Sequence, residues 1–180
     1  ATLEDDLAAA RETVDAAVES VDDVALYVSL ARFALAYDLT RPVFVEDRET
    51  IAVRGARNVA LQDGGVDVQP VTYAVGDHDL PAGREPPAGD RVAVLTGANS
   101  GGKTTLLETL CQVQLLAQMG LPVPADDAEV GLVDAIVFHR RHASFNAGVL
   151  ESTLRSVVPP LTDAGRTLML VDEFEAITEP

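Results

Sequence analysis

The 180-residue chain has one cysteine, Cys111. That excludes an internal disulfide and leaves no pair at zinc-ligand spacing. Tryptophan is absent and aromatic residues make up 4% of the sequence, so tight stacking of bases on aromatic rings is not a mechanism this composition favours. No apolar run approaches the roughly 20 residues that span a bilayer. The N-terminus opens on Thr2, Leu3, Glu4 and Asp5, acidic where a secretory leader is basic. A soluble, cytoplasmic protein without a membrane partner is the expectation.

Lysine is nearly absent. Of 13 basic residues all but Lys103 are arginine, against 29 acids, for a formal net charge of −16. Such a surface repels nucleic acid and anionic membranes in dilute salt. At molar salt the Debye length falls to about 3 Å and the repulsion is screened. An acid-rich, alanine-rich, almost lysine-free chain resembles the proteins of extreme halophiles, so the charge reports habitat more than partner. A sequence that keeps one lysine among arginines needs an ammonium there. A planar guanidinium does not replace a compact point charge at a crowded phosphate.

The length accommodates one domain, or one domain with an appendage. Residues 2 to about 38 read as two helices, or as one long helix with a break near Asp22. Thr2 with Asp5 forms a capping-box pattern. Leu3, Leu7, Ala10, Val14, Ala17, Val18 and Val21 then follow helical spacing. Arg41-Pro42 ends this region. Val43–Val45, Ile51–Val53 and Val66–Val75 are short, β-branched runs that predict an antiparallel strand set. Residues 79–90, rich in Pro and Gly, read as a loop. A buried strand is predicted over Arg91–Thr96, a helix over Lys103–Met119 and a strand over Val130–Phe138. A helix over Gly148–Leu161 and a strand over Thr167–Val171 follow. Strand and helix alternating from residue 91 to 172 imply a mainly parallel, helix-covered sheet. Cys111 and Met119, on the predicted helix, read as core.

Gly97-Ala98-Asn99-Ser100-Gly101-Gly102-Lys103-Thr104 fits G-x-x-x-x-G-K-S/T at every fixed position. The glycines let backbone N–H groups turn toward phosphate oxygens, and the following helix offers its N-terminus to the same charge. Lys103 is placed to neutralise the β- and γ-phosphates of ATP, and the Thr104 hydroxyl to ligate Mg2+. Thr167 to Val171, ending in Asp172-Glu173, is an apolar strand closing on two acids, 75 positions after Gly97. This is a Walker B pattern: Asp172 for the metal, Glu173 to polarise the attacking water. The cluster His139-Arg140-Arg141-His142 could meet phosphate or a partner subunit, and no metal site is assigned to it.

With these motifs in place, most of the chain resembles the end of the core-helix domain and the ATPase domain of the MutS family. Thr96 to Thr105 is similar to T-G-P-N-M-G-G-K-S-T, and Ala117 to Ala125 to A-x-x-G-x-x-V-P-A. Glu129 to Asp134 is similar to E-I-G-x-x-D, and Asp22 to Tyr37 to the family helix D-V-L-x-S-L-A-x-x-A. Arg54 to Arg57 resembles the E-G-R-H-P turn loosely. The departures are Ala98 and Ser100 in the loop and Asn146 to Glu151 where the family has its cross-subunit signature. Glu175 to Thr178 replaces G-R-G-T, and Val68 stands where an aromatic platform for adenine is expected. They suggest a divergent archaeal MutS-like paralogue.

The resemblance implies an α/β fold of the P-loop NTPase (ABC/MutS) type, with a mainly parallel sheet, a small antiparallel β subdomain and an N-terminal helical segment. The implied organisation is helices over 1–41 and an ATPase domain over 42–180. Lys103 and Glu173 are the catalytic residues, and Gly97 through Thr105 hold the nucleotide. Thr104 and Asp172 hold magnesium. The implied partners are DNA and a second copy of the chain. Two other readings stand beside this one. A transporter- or SMC-type ATPase carries L-S-G-G-Q before Walker B, and residues 140–166 contain none. A nucleotide-binding scaffold that hydrolyses little is kept open by the altered cross-subunit signature. The sequence starts without Met and stops at Pro180, so a piece of a longer protein is expected.

Overall fold

In a computed structural model of the chain, residues 2–65, 67–80, 89–97, 102–139 and 165–172 are described. The chain divides into two compact units, Ala1–Asp38 and Leu39–Pro180.

The first unit is a single helix, α1 (Leu3–Ala36). Its start is the expected capping box: Thr2 N–H donates to Asp5 Oδ2 at 2.8 Å, and Asp5 N–H donates to Thr2 Oγ1 at 3.4 Å. The Thr2 backbone donor, helped by its hydroxyl, holds the Asp5 carboxyl below the ordinary carboxylate range. The break considered near Asp22 is absent, and one helix runs through both acids. An aspartate in a helix interior costs only about 0.7 kcal/mol, too little for this pair to interrupt a 34-residue helix. The hydroxyls of Thr13, Ser20 and Ser29 donate to the carbonyls of Ala9, Ala16 and Ala25, so they are satisfied within the helix. Just past the helix, Asp38 adopts φ +49, a left-handed conformation that cannot extend it.

The second unit is mixed α/β. Strands β1 (Val43–Val45), β2 (Ile51–Ala56), β3 (Val71–Val75) and β4 (Asp127–Gly131) form a sheet of order β1-β4-β2-β3. β2 runs antiparallel to β3 and β4, whereas β1 is parallel to β4. A short helix, α2 (Val59–Asp63), follows β2. The 16-residue helix α3 (Lys103–Gln118) lays Leu110, Val113 and Ala117 on the sheet against Ile51, Val53, Ala56 and Val130. That i, i+3, i+7 stripe is the helical period the sequence carries. On the opposite face, where Ala52 pairs with Glu129, the buried Glu129 meets Arg48 at 3.0 Å and accepts from Asp79 N–H at 2.9 Å. Burial opposes the Arg48 charge, but Glu129, Asp79 and Asp47 outweigh it and raise the guanidinium above its ordinary value. Strands β5 (Ala135–His139) and β6 (Thr167–Val171) form a separate parallel pair, with Leu168 packed toward the same core. Among the described residues no helix is long and apolar enough to cross a membrane.

Several expectations need correction. Among the described residues the strands form a four-stranded mixed sheet, in which β2 runs antiparallel to β3 and β4, and a separate two-stranded parallel pair. Residues 91–96 form no strand, and Val92 and Val94 are 80% and 82% exposed. The start of this run is tied beside β3, through Gly76 N–H to Asp90 O at 2.8 Å and Arg91 to Glu49 at 3.2 Å. β-branched residues make a strand only where a neighbouring edge takes their hydrogen bonds. The run read as one strand over Val130–Phe138 is two strands in different sheets. The chain turns after Gly131, where a Cβ would stand 2.5 Å from Arg48 O. β3 begins at Val71, not Val66, directly after Pro70, which has no N–H for a ladder. Met119, read as core, is 69% exposed. The helix expected over 148–161 lies outside the described residues.

Candidate functional site

α3 starts at Lys103, and the residue before it, Gly102, has φ +75. Most side chains avoid that conformation, and glycine takes it freely. Gly102, the N-cap, has no side chain to cap the helix and the first turn carries no acid, which leaves the positive end of the helix dipole at Lys103 and Thr104. Gly97, at the other end of the glycine-rich segment, has φ +147. The Lys103 ammonium reaches back and donates to Gly97 O at 2.5 Å, which brings both ends of the segment together.

Thr104, one residue into α3, donates its hydroxyl to Asp172 Oδ2 at 2.7 Å, across 68 positions of sequence. Asp172 follows β6, is 7% exposed, and donates its backbone N–H to His139 O at 3.0 Å. In β6 the alternation of side chains puts Leu168, Leu170 and Asp172 on one face. Leu168 packs on the core cluster, which contains Leu110 and Val113 of α3. The strand thus delivers the carboxylate to the helix start by the same geometry that buries its leucines.

A hydroxyl and a carboxylate at this separation are hard oxygen donors that suit magnesium, which takes one or two protein ligands and keeps several waters. Among the described residues no cluster of three or more His, Cys, Asp or Glu could hold a metal by itself. The residues present fit the ion.

Of the site residues expected from sequence, Gly97, Gly102, Lys103, Thr104, Thr105 and Asp172 are described. The structure gathers Lys103 with Gly97 and Thr104 with Asp172. Thr105 turns its carbonyl to the Thr109 hydroxyl at 2.7 Å, inside the helix. Ala98, Asn99, Ser100, Gly101 and Glu173 lie outside the described residues, as do Arg140, Arg141 and His142. His139 closes β5 and pairs with Val171. Val68 is half-buried ahead of β3.

Sequence reasoning missed the polar side chains that hold α3. Gln112 accepts from Val59 N–H at 3.0 Å and donates to Asn58 Oδ1 at 3.2 Å, while Asn58, 1% exposed, also caps α2. Gln114, also 1% exposed, donates to Gly131 O at 2.9 Å. The available signal was a glutamine four residues after Leu110, on the stripe that the helical period assigns to the core.

Residues 93–173 match MutS domain V. The DNA-binding protein MutS2 of Pyrococcus furiosus is 40% identical over 158 residues, 86% of this chain and 26% of that protein. The DNA mismatch repair protein MutS of Granulibacter bethesdensis is 33% identical over 167 residues, 90% of this chain and 17% of the relative. That of Natronomonas pharaonis is 30% identical over 178 residues, 96% of this chain and 19% of the relative. The chain spans about a quarter or less of the length of these relatives.

Proposed function

Since this chain belongs to the MutS family through its ATPase domain, we propose that residues 42–180 bind ATP with magnesium and hydrolyse it, and that residues 1–41 belong to the attached helices of a DNA clamp. The observation that carries this reading is the Thr104–Asp172 contact at 2.7 Å. It joins the hydroxyl of one nucleotide motif to the acid of the other, which a glycine-rich turn without a ligand has no reason to do. In this reading β5 and β6 belong to the parallel sheet of a P-loop core.

The Lys103 ammonium leaves Gly97 O for the β- and γ-phosphates, and the amides at the start of α3 receive the phosphate oxygens. Thr104 and Asp172 would hold magnesium, which when bound would neutralise charge on the phosphate oxygens. Glu173, the next residue after Asp172, accepts a proton from the attacking water. A second copy of the chain completes each site, and ATP switches the dimer. The names of the relatives support DNA as partner. In the second unit Arg48, Arg54, Arg57 and Arg91 are engaged by Glu129, Asp127, Asp126 and Glu49. Those arginines are paired within the fold.

The test is Glu173→Gln in the full-length protein. It should abolish turnover and trap ATP-bound dimers. An unchanged variant, with tight ATP binding and no turnover in either protein, favours a nucleotide-binding scaffold instead.

A further inference from the structure

The Thr104–Asp172 contact joins α3 and β6, which also meet where Leu168 packs on the core cluster that contains Leu110 and Val113. Asp172 is tied to the end of β5 by its N–H to His139 O. β5 in turn leads back, through residues 131–134, to β4 and the other sheet. The distance between Thr104 and Asp172 is therefore set by that packing and also by how this connection is fastened to α3.

Two glutamines do the fastening. Gln118 Oε1 accepts from Val133 N–H at 2.8 Å and from Gln114 Nε2 at 3.1 Å, and Gln114 Nε2 also donates to Gly131 O at 2.9 Å. Both ends of the connection are thereby held to the C-terminal half of the helix that begins with Lys103 and Thr104. From Thr104 to Gln118 the helix rises about 21 Å, and β5 runs from Ala135 to His139 after a bend at Asp134. α3 and β5 are two sides of a closed frame. Thr104, Asp172 and His139 form the crosspiece at one end, and Gln118, Gln114 and Val133 the crosspiece at the other.

We propose that Gln114 and Gln118 are positioning residues for the magnesium site, setting the frame that keeps Thr104 and Asp172 at ligand separation. This rests on the nucleotide- and magnesium-binding reading of that pair. The two side chains have opposite chemical requirements. Every bond at Gln118 is accepted by its oxygen, so a glutamate there preserves them. Every bond at Gln114 is donated by its nitrogen, so methionine, of similar length and uncharged, removes them.

The experiment titrates magnesium into the full-length protein holding a fluorescent ATP analogue, and follows anisotropy well below the melting temperature of each variant. Manganese binding is followed in parallel by electron paramagnetic resonance. Gln118→Leu and Gln114→Met should raise the metal concentration at half-saturation by about fivefold, as expected for loss of one or two hydrogen bonds. Gln118→Glu should remain within about twofold of the parent. Gln118 is exposed, so its variants fold even if Gln114→Met does not. A purely structural role would lower the melting temperature and leave the half-saturation unmoved, and that result overturns the proposal. So does a Gln118→Glu variant as impaired as Gln118→Leu. If the parent shows no metal-dependent nucleotide binding, the reading of the site itself fails, which is a separate and recognisable outcome.

Discussion

Thr104→Val tests the joint between the two motifs with little change of shape. The substitution keeps the branched side chain and removes the hydroxyl that donates to Asp172 Oδ2 at 2.7 Å. Asp172 is 7% exposed, so water recovers little of what the carboxylate loses. A hydrogen bond to a charged group contributes about 1.5–3 kcal/mol, and a middle value of about 2 suits this setting. In a domain of this size each kcal/mol moves the melting temperature by about 2–4 °C, so a fall of about 4–8 °C follows. Thr104→Ser keeps the donor and should melt within about 2 °C of the parent. The assay is a pair of thermal melts in molar KCl with chelator present, so that only the protein's own contact is measured. Equal melting of the valine variant and the parent would refute the contact, and with it the joint on which the site is built.

Glycine substitutions should separate crowding from conformation. Gly76→Ala brings a Cβ to 2.2 Å from Glu49 O at φ +89 and should cost more than about 2 kcal/mol, whereas Gly65→Ala, at φ +71 in open space, should cost about 1, as read by urea unfolding. Burial pushes the Cys111 thiol above its ordinary value. Its alkylation by iodoacetamide should therefore still be accelerating at a pH where a free thiol has levelled off, and a rate profile matching free cysteine would contradict the packing. The Asp5 carboxyl titrates below its unfolded value, so its contribution is present above the unfolded value and is lost as pH falls through the folded one. Helical circular dichroism of the first unit should fray in that acid range, and Asp5→Ala should remove the pH dependence.

How much of this was legible depended on the range of the interactions. The capping box at Thr2 and Asp5 and the helix from Lys103 are local: a cap or a glycine-rich turn is written in adjacent residues, and both stand where expected. Strand β6 was legible because four apolar residues after Thr167 run into acids. The run over 91–96 misled because its β-branched pattern says nothing of which edge is free to pair with it. The division between β4 and β5 was hidden because β4 ends at Gly131, whose backbone lies close against Arg48 and Thr50, far away in sequence. α2 escaped notice because its N-terminus is satisfied partly by Gln112 of another helix. The pairing of Thr104 with Asp172 followed from two motifs and the resemblance, while Gln114 and Gln118 act through backbone groups that carry no residue signature.

The most direct test of the central claim is ATP turnover by the full-length protein in molar KCl, with and without branched or mismatched DNA. The account predicts magnesium-dependent turnover that DNA stimulates and that Glu173→Gln abolishes. Tight ATP binding with no turnover, and no response to any DNA, would contradict it.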